Sequence, residues 1–199
     1  MTGWTTHLGR AIGLPLENVD TDQLIPARFM SASRAAGYGD FLLHDLRRDG
    51  DALRPDFPLN QSQAEGASLL ITRRNFGGGS SREAAVYALV DAGFRAVIAP
   101  GFGDIFAGNA VNNGLLPARV SEDEAERLLE LCPTDLTVDL ASLSIAGAGV
   151  IVEFALDPVW RQKLMNGWDD IDLTTSHAAT IKAFAKARRA RAPWIWPTD

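Results

Sequence analysis

A chain of 199 residues with 46% apolar side chains can bury one sizeable core, the scale expected of a single domain. Its net charge of −6 and pI near 5.1 exclude a basic face broad enough for nucleic acid to be the principal partner. The single cysteine, Cys132, excludes an internal disulfide, and no apolar run approaches the ~20 residues that cross a bilayer.

No basic-then-apolar leader precedes the first motifs, so the cytoplasm is the expected compartment. One Cys and the widely spaced His7, His44 and His177 cannot supply a Cys-rich or His-rich cage. A metal or iron–sulfur cofactor would therefore be ligated mostly by another chain.

In chain order, "ENVDTDQLIPARF" (17–29) is turn-prone and acidic, then briefly apolar, then stopped by Pro26, which predicts a loop feeding a short element. Residues 45–65 are polar with Pro55 and Pro58 and are expected to form a long surface connection. "ASLLIT" (67–72) and "RAVIAP" (95–100) are short apolar runs suited to buried strands. Between them Ala85, Val86, Leu89 and Val90 recur at helical spacing, with Gly93 as a stop. The unit is a strand, glycine loop, helix, strand crossover. A second glycine-rich turn, "GFGD" (101–104), opens a helix over about Asp104 to Val111. "SEDEAERLLEL" (121–131) is an amphipathic helix with Ser121 as its N-cap. "LTVDL", "SLSIAG" and "VIVEFAL" are short strands, and the pattern returns to helix in "PVWRQKLMNG" and "DLTTSHAATIKAFAKARR". A tail from about 188 to 199 completes the single domain.

The candidate site is "NFGGGSSREA" (75–84). Glycines remove bulk and permit positive φ, so backbone N–H groups at the start of a helix can approach an anion. A Walker loop needs a lysine that is missing here; a dinucleotide fingerprint and a nucleophile elbow each need glycine where Arg82 stands. What remains is Gly77, Gly78 and Gly79 backbone with Ser80, Ser81 and Arg82, a set suited to a small carboxylate. Arg82 can grip it with two parallel hydrogen bonds, and a serine among N–H donors can act in proton transfer. The plainer alternative makes Ser80 or Ser81 a helix cap, with Glu83 closing a capping box. "DTD" (20–22) offers paired carboxylates for acid–base work or for orienting a cation, and is also an ordinary turn. Arg28 and Arg34 lie just downstream, as carboxylate binders or as solvated surface. The tail "KAFAKARRARAPWIWPTD" fits either a nucleic-acid or membrane patch, or a helix with a dipole-complementing end and an aromatic arm that packs on this or a partner chain.

"NVDTDQLIPARF", "NFGGGSSREAA", "VIAPGFGDIFAGNAVNNGLLP" and "LMNGWDDIDLT", in that order, resemble the small subunits of bacterial 3-isopropylmalate dehydratase, in the aconitase superfamily. The resemblance spans about residues 7–185. It implies an α/β fold, the swivelling β/β/α domain found last in aconitase, with C-terminal helices. It further implies a hydro-lyase isomerising 2-isopropylmalate to 3-isopropylmalate in leucine biosynthesis, as a heterodimer or larger heteromer. The four-iron, four-sulfur cluster would sit on the large subunit and none on this chain. By the same resemblance Ser80 and Asp22 are catalytic, Ser81, Arg82 and the Gly77–Gly79 backbone bind substrate, and Arg34 meets its distal carboxylate. The family pattern "NFGCGSSREHA" is altered here at Gly78 and Ala84, which leaves room for a methylmalate-type hydroxy-diacid. A non-catalytic anion-binding module is the rival from another class. Neither nucleic acid nor membrane is an expected partner.

Overall fold

Leu69 and Ile71 point into one apolar cluster and Leu70 into another, and all three are fully buried. The run "ASLLIT" therefore lies inside a sheet covered on both faces, as its unbroken apolarity predicts. The computed structural model describes residues 2–196. Its strands are β1 (Thr6–Leu14), β2 (Arg48–Asp49), β3 (Ala52–Leu53), β4 (Ala67–Thr72), β5 (Ala96–Ala99), β6 (Leu116–Arg119), β7 (Thr134–Asp139), β8 (Ser144–Gly147) and β9 (Val150–Glu153). Its α-helices are α1 (Thr21–Leu24), α2 (His44–Arg47), α3 (Glu83–Asp91), α4 (Asp104–Asn112), α5 (Glu122–Leu131), α6 (Pro158–Asn166), α7 (Asp170–Ser176) and α8 (Ala178–Arg191).

Seven strands form one mixed sheet in the order β6-β5-β4-β1-β7-β8-β9. Neighbours β1, β4, β5 and β6 run parallel, while β1/β7, β7/β8 and β8/β9 pair antiparallel. β1 is thus the seam between two halves. The parallel half is sandwiched: α3, much of α4 and the segment around Leu24 to Leu43 cover one face, and α5 with Trp4 and Leu164 the other. The antiparallel half buries one face only, through Leu136, Val138, Ile145 and Val152, and leaves Leu8 and Ile151 exposed. Pro117 sits in β6 at the sheet edge, the position where a missing N–H costs least.

Ser121 caps α5, as the sequence predicts, by accepting from the Glu124 amide, and the Glu124 carboxylate accepts the Ser121 N–H in return. Residues 45–65 are less of a surface connection than expected. They carry α2 and the β2–β3 hairpin, and Phe57, Leu59 and Ala64 pack against the core. The Arg47 side chain bonds Asn60 Oδ1 at 2.9 Å, and the Asn60 amide returns to the Arg47 carbonyl at 2.7 Å. The end of the tail, residues 197–199, lies outside the described residues.

Because β4 carries both cores, Leu70→Ala removes volume that neither face can refill. It is expected to destabilise the chain by about 3 kcal/mol, read from the shift in denaturant midpoint at unchanged slope. A loss under about 1 kcal/mol would show that β4 is not the shared core strand.

Candidate active site

Since β1 and β4 are parallel neighbours, the loops that follow them leave the same edge of the sheet, the usual place for a site in such folds. The first loop carries "DTD", the second the glycines. The structure ties them together. The Gly77 amide donates to the Val19 carbonyl at 2.7 Å, and the Thr21 amide donates to the Gly78 carbonyl at 2.9 Å. The Thr21 hydroxyl, itself buried, donates to the Ser80 carbonyl at 2.9 Å. Finally, the Arg82 guanidinium pairs with the Asp22 carboxylate. Asp20 does not face this pair: its carboxylate caps α1 by accepting from the Gln23 amide at 2.7 Å, and Gln23 bonds back to the Asp20 N–H. The two acids of "DTD" therefore have different tasks, one structural and one at the loop.

Two glycines in the loop are required by geometry. Gly77 has φ 73° and a Cβ there would lie 2.2 Å from the Phe106 ring, while Gly79 has φ 90°. The second glycine turn buttresses the first: a Cβ on Gly103 would come within 2.5 Å of the Gly77 carbonyl oxygen, and the Gly103 amide donates to the Phe76 carbonyl at 2.9 Å. Phe76, Phe102 and Phe106 pack beneath.

Ser80 and Ser81 are exposed, and neither caps α3. The helix starts at Glu83 with Arg82 in the cap position and no side-chain cap bond. Among the described residues, no acceptor meets the N–H groups of Gly79, Ser80 or Ser81. These open donors stand before the positive end of α3 with two hydroxyls and a guanidinium, an arrangement chemically suited to a carboxylate. Glu83 does not close a capping box either. It accepts from the Asn113 side-chain amide at 2.9 Å.

Residues 1–123 match the model of the aconitase C-terminal domain family. A protein of Shouchella clausii named 3-isopropylmalate dehydratase small subunit is 45% identical over 92% of this chain and 95% of its own length. One of the same name from Rhodopirellula baltica is 46% identical over 94% of this chain and all of its own. This chain belongs to the 3-isopropylmalate dehydratase small-subunit family. A crystal structure of 3-isopropylmalate dehydratase from Methanocaldococcus jannaschii superposes with a TM-score of 0.68, covering 89% of this chain and 98% of that one at 23% identity. That likeness concerns the fold, and with the family match it identifies the aconitase-type swivel domain. The small-subunit name implies a large partner.

Within this family fold, Arg34 does not reach the glycine loop. Its guanidinium grips Asp91 with two bonds, at 2.5 and 3.0 Å, and lies 4.3 Å from the Tyr87 ring centre. Asp91 ends α3 whereas Ser80 precedes its start, so the two are separated by about 12 Å of helix. In this chain Arg34, expected at the substrate's distal carboxylate, is paired with Asp91. Arg28 is likewise held, by Asp45. Gly78 has ordinary φ, and a Cβ there would meet only Asn75, at 3.4 Å. Ala84 is buried in the first turn of α3.

Cys132, between α5 and β7, is half-buried, and burial pushes its thiol up to about 11. Among the described residues no three His, Cys, Asp or Glu side chains are grouped to hold a metal ion. A lone protonated thiol does not fit an iron–sulfur cluster, which needs several thiolates. No helix among the described residues is long and apolar enough to cross a membrane.

Asn113, which sequence reasoning missed, belongs to a wider clasp. Its neighbour Asn112 accepts from the Lys163 ammonium and donates to Asp170 at 3.1 Å, and Lys163 donates to Asp170 at 2.6 Å. The Lys163 side chain is 3% exposed, that of Asp170 72%. The clasp fastens α6 and α7 to the end of α4, one residue from the contact with Glu83. The Lys163 hydrogen bond, then that of Asn112, holds the Asp170 carboxyl below its ordinary 3.8.

Gly77→Ala is expected to cost at least about 2 kcal/mol, whereas Gly78→Cys stays within about 0.5 kcal/mol; equal costs in chemical unfolding would contradict the packing described. Asp170→Asn strands a buried ammonium and is expected to cost about 2 kcal/mol, more than Lys163→Met. Because the folded carboxyl titrates low, its contribution is full above about pH 4 and fades as pH falls below that. Stability measured against pH should lose that acid-limb component in Asp170→Asn, and an unchanged limb would refute the clasp.

Proposed function

We infer that this chain is the small subunit of a hydro-lyase that isomerises 2-isopropylmalate to 3-isopropylmalate by removing and re-adding water, in leucine biosynthesis. The observation that carries the reading is the joined loop pair: Ser80, Ser81 and Arg82 at an uncapped helix start, tied to Asp22. Full-length relatives of this name at about 45% identity support the substrate, and nothing favours a methylmalate-type diacid or a non-catalytic module.

The reaction needs a base that moves a proton at carbon, a carboxylate anchor, and a Lewis acid for the hydroxyl. Ser80 Oγ is the proposed base, exposed and flanked by open N–H donors that lower the cost of its alkoxide form. Ser81 and the Arg82 donors not given to Asp22 take a substrate carboxylate, and the Gly77–Gly79 backbone lets it come close. Asp22 holds the guanidinium in place and puts an acid–base carboxylate at the same edge. The donor set of this chain does not suit a cluster, so the Lewis acid is assigned to a four-iron, four-sulfur cluster on the large subunit.

With the cognate large subunit, Ser80→Ala is expected to lower kcat by about 10²- to 10⁴-fold, followed by alkene absorbance from isopropylmalate, with assembly unchanged. Activity equal to the unaltered chain would remove Ser80 from the mechanism. A panel of 2-hydroxy-diacids is expected to rank isopropylmalate first, and another winner would move the substrate assignment.

A further inference from the structure

We propose that α8, with the turn at Pro193–Ile195, forms a docking arm whose basic, apolar face seats in an acidic groove of the large subunit. The proposal rests on the small-subunit reading above. None of the 14 residues of α8 is buried, and its main packing partner is the chain's own turn at Pro193–Ile195. Beyond that turn the Trp196 ring lies 4.9 Å from the Arg189 guanidinium.

A helix of this length is marginal in water without tertiary support. This one lacks the usual surface remedy, since no acidic residue occurs from Leu173 to Trp196 and no Glu–Lys pairs can form along it. Its side chains instead suit a partner. Ile181 and Phe184 lie nearly one turn apart and are 47% and 70% exposed, and Ile171 and Trp194 add to the exposed apolar surface at either end.

Charge selects the partner. Among the described residues Lys182, Lys186, Arg188, Arg189 and Arg191 pair with no acidic side chain, while residues 1–172 carry 14 basic against 24 acidic side chains. The arm does not lie on that acidic body, so its cations are left for an acidic surface elsewhere. Position selects which one. The arm is rooted through Asp170 on Lys163 and Asn112, and the adjacent Asn113 holds Glu83 beside Arg82. A subunit that covers the serine loop is the macromolecule that this arm is placed to meet.

The test uses the full chain and its cognate large subunit. Lys182→Gln, Phe184→Ala and Arg188→Gln are combined; all three sites are exposed, and Gln and Ala keep good helix propensity. Assembly measured by sedimentation or calorimetry is expected to weaken at least tenfold with a flatter salt dependence, while kcat at saturating large subunit and the melting profile of the isolated chain stay unchanged. Assembly as tight as the unaltered chain overturns the docking assignment, as does arm-dependent self-association, or arm-dependent binding to anionic vesicles or RNA with assembly intact. Failure of the unaltered chain to assemble at all overturns the small-subunit reading instead.

Discussion

The seam between residues 19–22 and 77–82 is the constraint on which the rest of this molecule depends. Three backbone-directed hydrogen bonds and the Asp22–Arg82 ion pair close it. It can form only because β1 and β4 are parallel neighbours in register from Ala11 against Leu69 to Leu14 against Thr72, so that both loops emerge together. The ion pair by itself is worth little where water reaches Asp22. Its value is positional: it points a guanidinium that would otherwise sample many rotamers.

Close backbone approach then explains the aromatic stack. A loop that turns with positive φ at Gly77 and Gly79 has no side chains of its own to pack with. Phe76, Phe102 and Phe106 supply the missing floor from the preceding residue and from the next loop. The "GFGD" turn is thus part of the site's construction even though none of its groups is assigned chemistry. Gly103 is glycine because the Gly77 carbonyl occupies the space a Cβ would need.

The β4–α3–β5 unit, the α5 cap and the grouping of Ser80, Ser81 and Arg82 were legible because each rests on local spacing. β1 was not legible. Gly9 and Gly13 interrupt its apolar pattern, and Gly9 is there because Ser68 and His7 crowd the place of its side chain, a fact of pairing across some 60 residues. β6 was hidden by Pro117, which reads as a breaker until its edge position is known. The Arg34–Asp91 pair was hidden for a related reason: a loop arginine has many partners within reach in sequence, and Asp91 became one only when α3 packed on the segment before α2. Lys163, Asn112 and Asp170 carried no signal at all, because each looks like an ordinary polar residue at a helix end until the helices meet.

The exposure of the serines follows from the same construction. Proton abstraction by a serine alkoxide is incompatible with bulk water, since water competes for the charge and levels the base. Yet the glycine loop, lifted clear of its own sheet on an aromatic floor, has no lid within the described residues, and Arg34, which stands closest in sequence to such a role, is committed to Asp91. On the proposed mechanism, dry surroundings are left to groups beyond the described residues, the partner surface first among them. A swivel domain built this way presents half of the proposed site: the seam holds Ser80, Ser81 and Arg82 in place, and the proposed electrophile and the exclusion of water fall to the surface that closes over them.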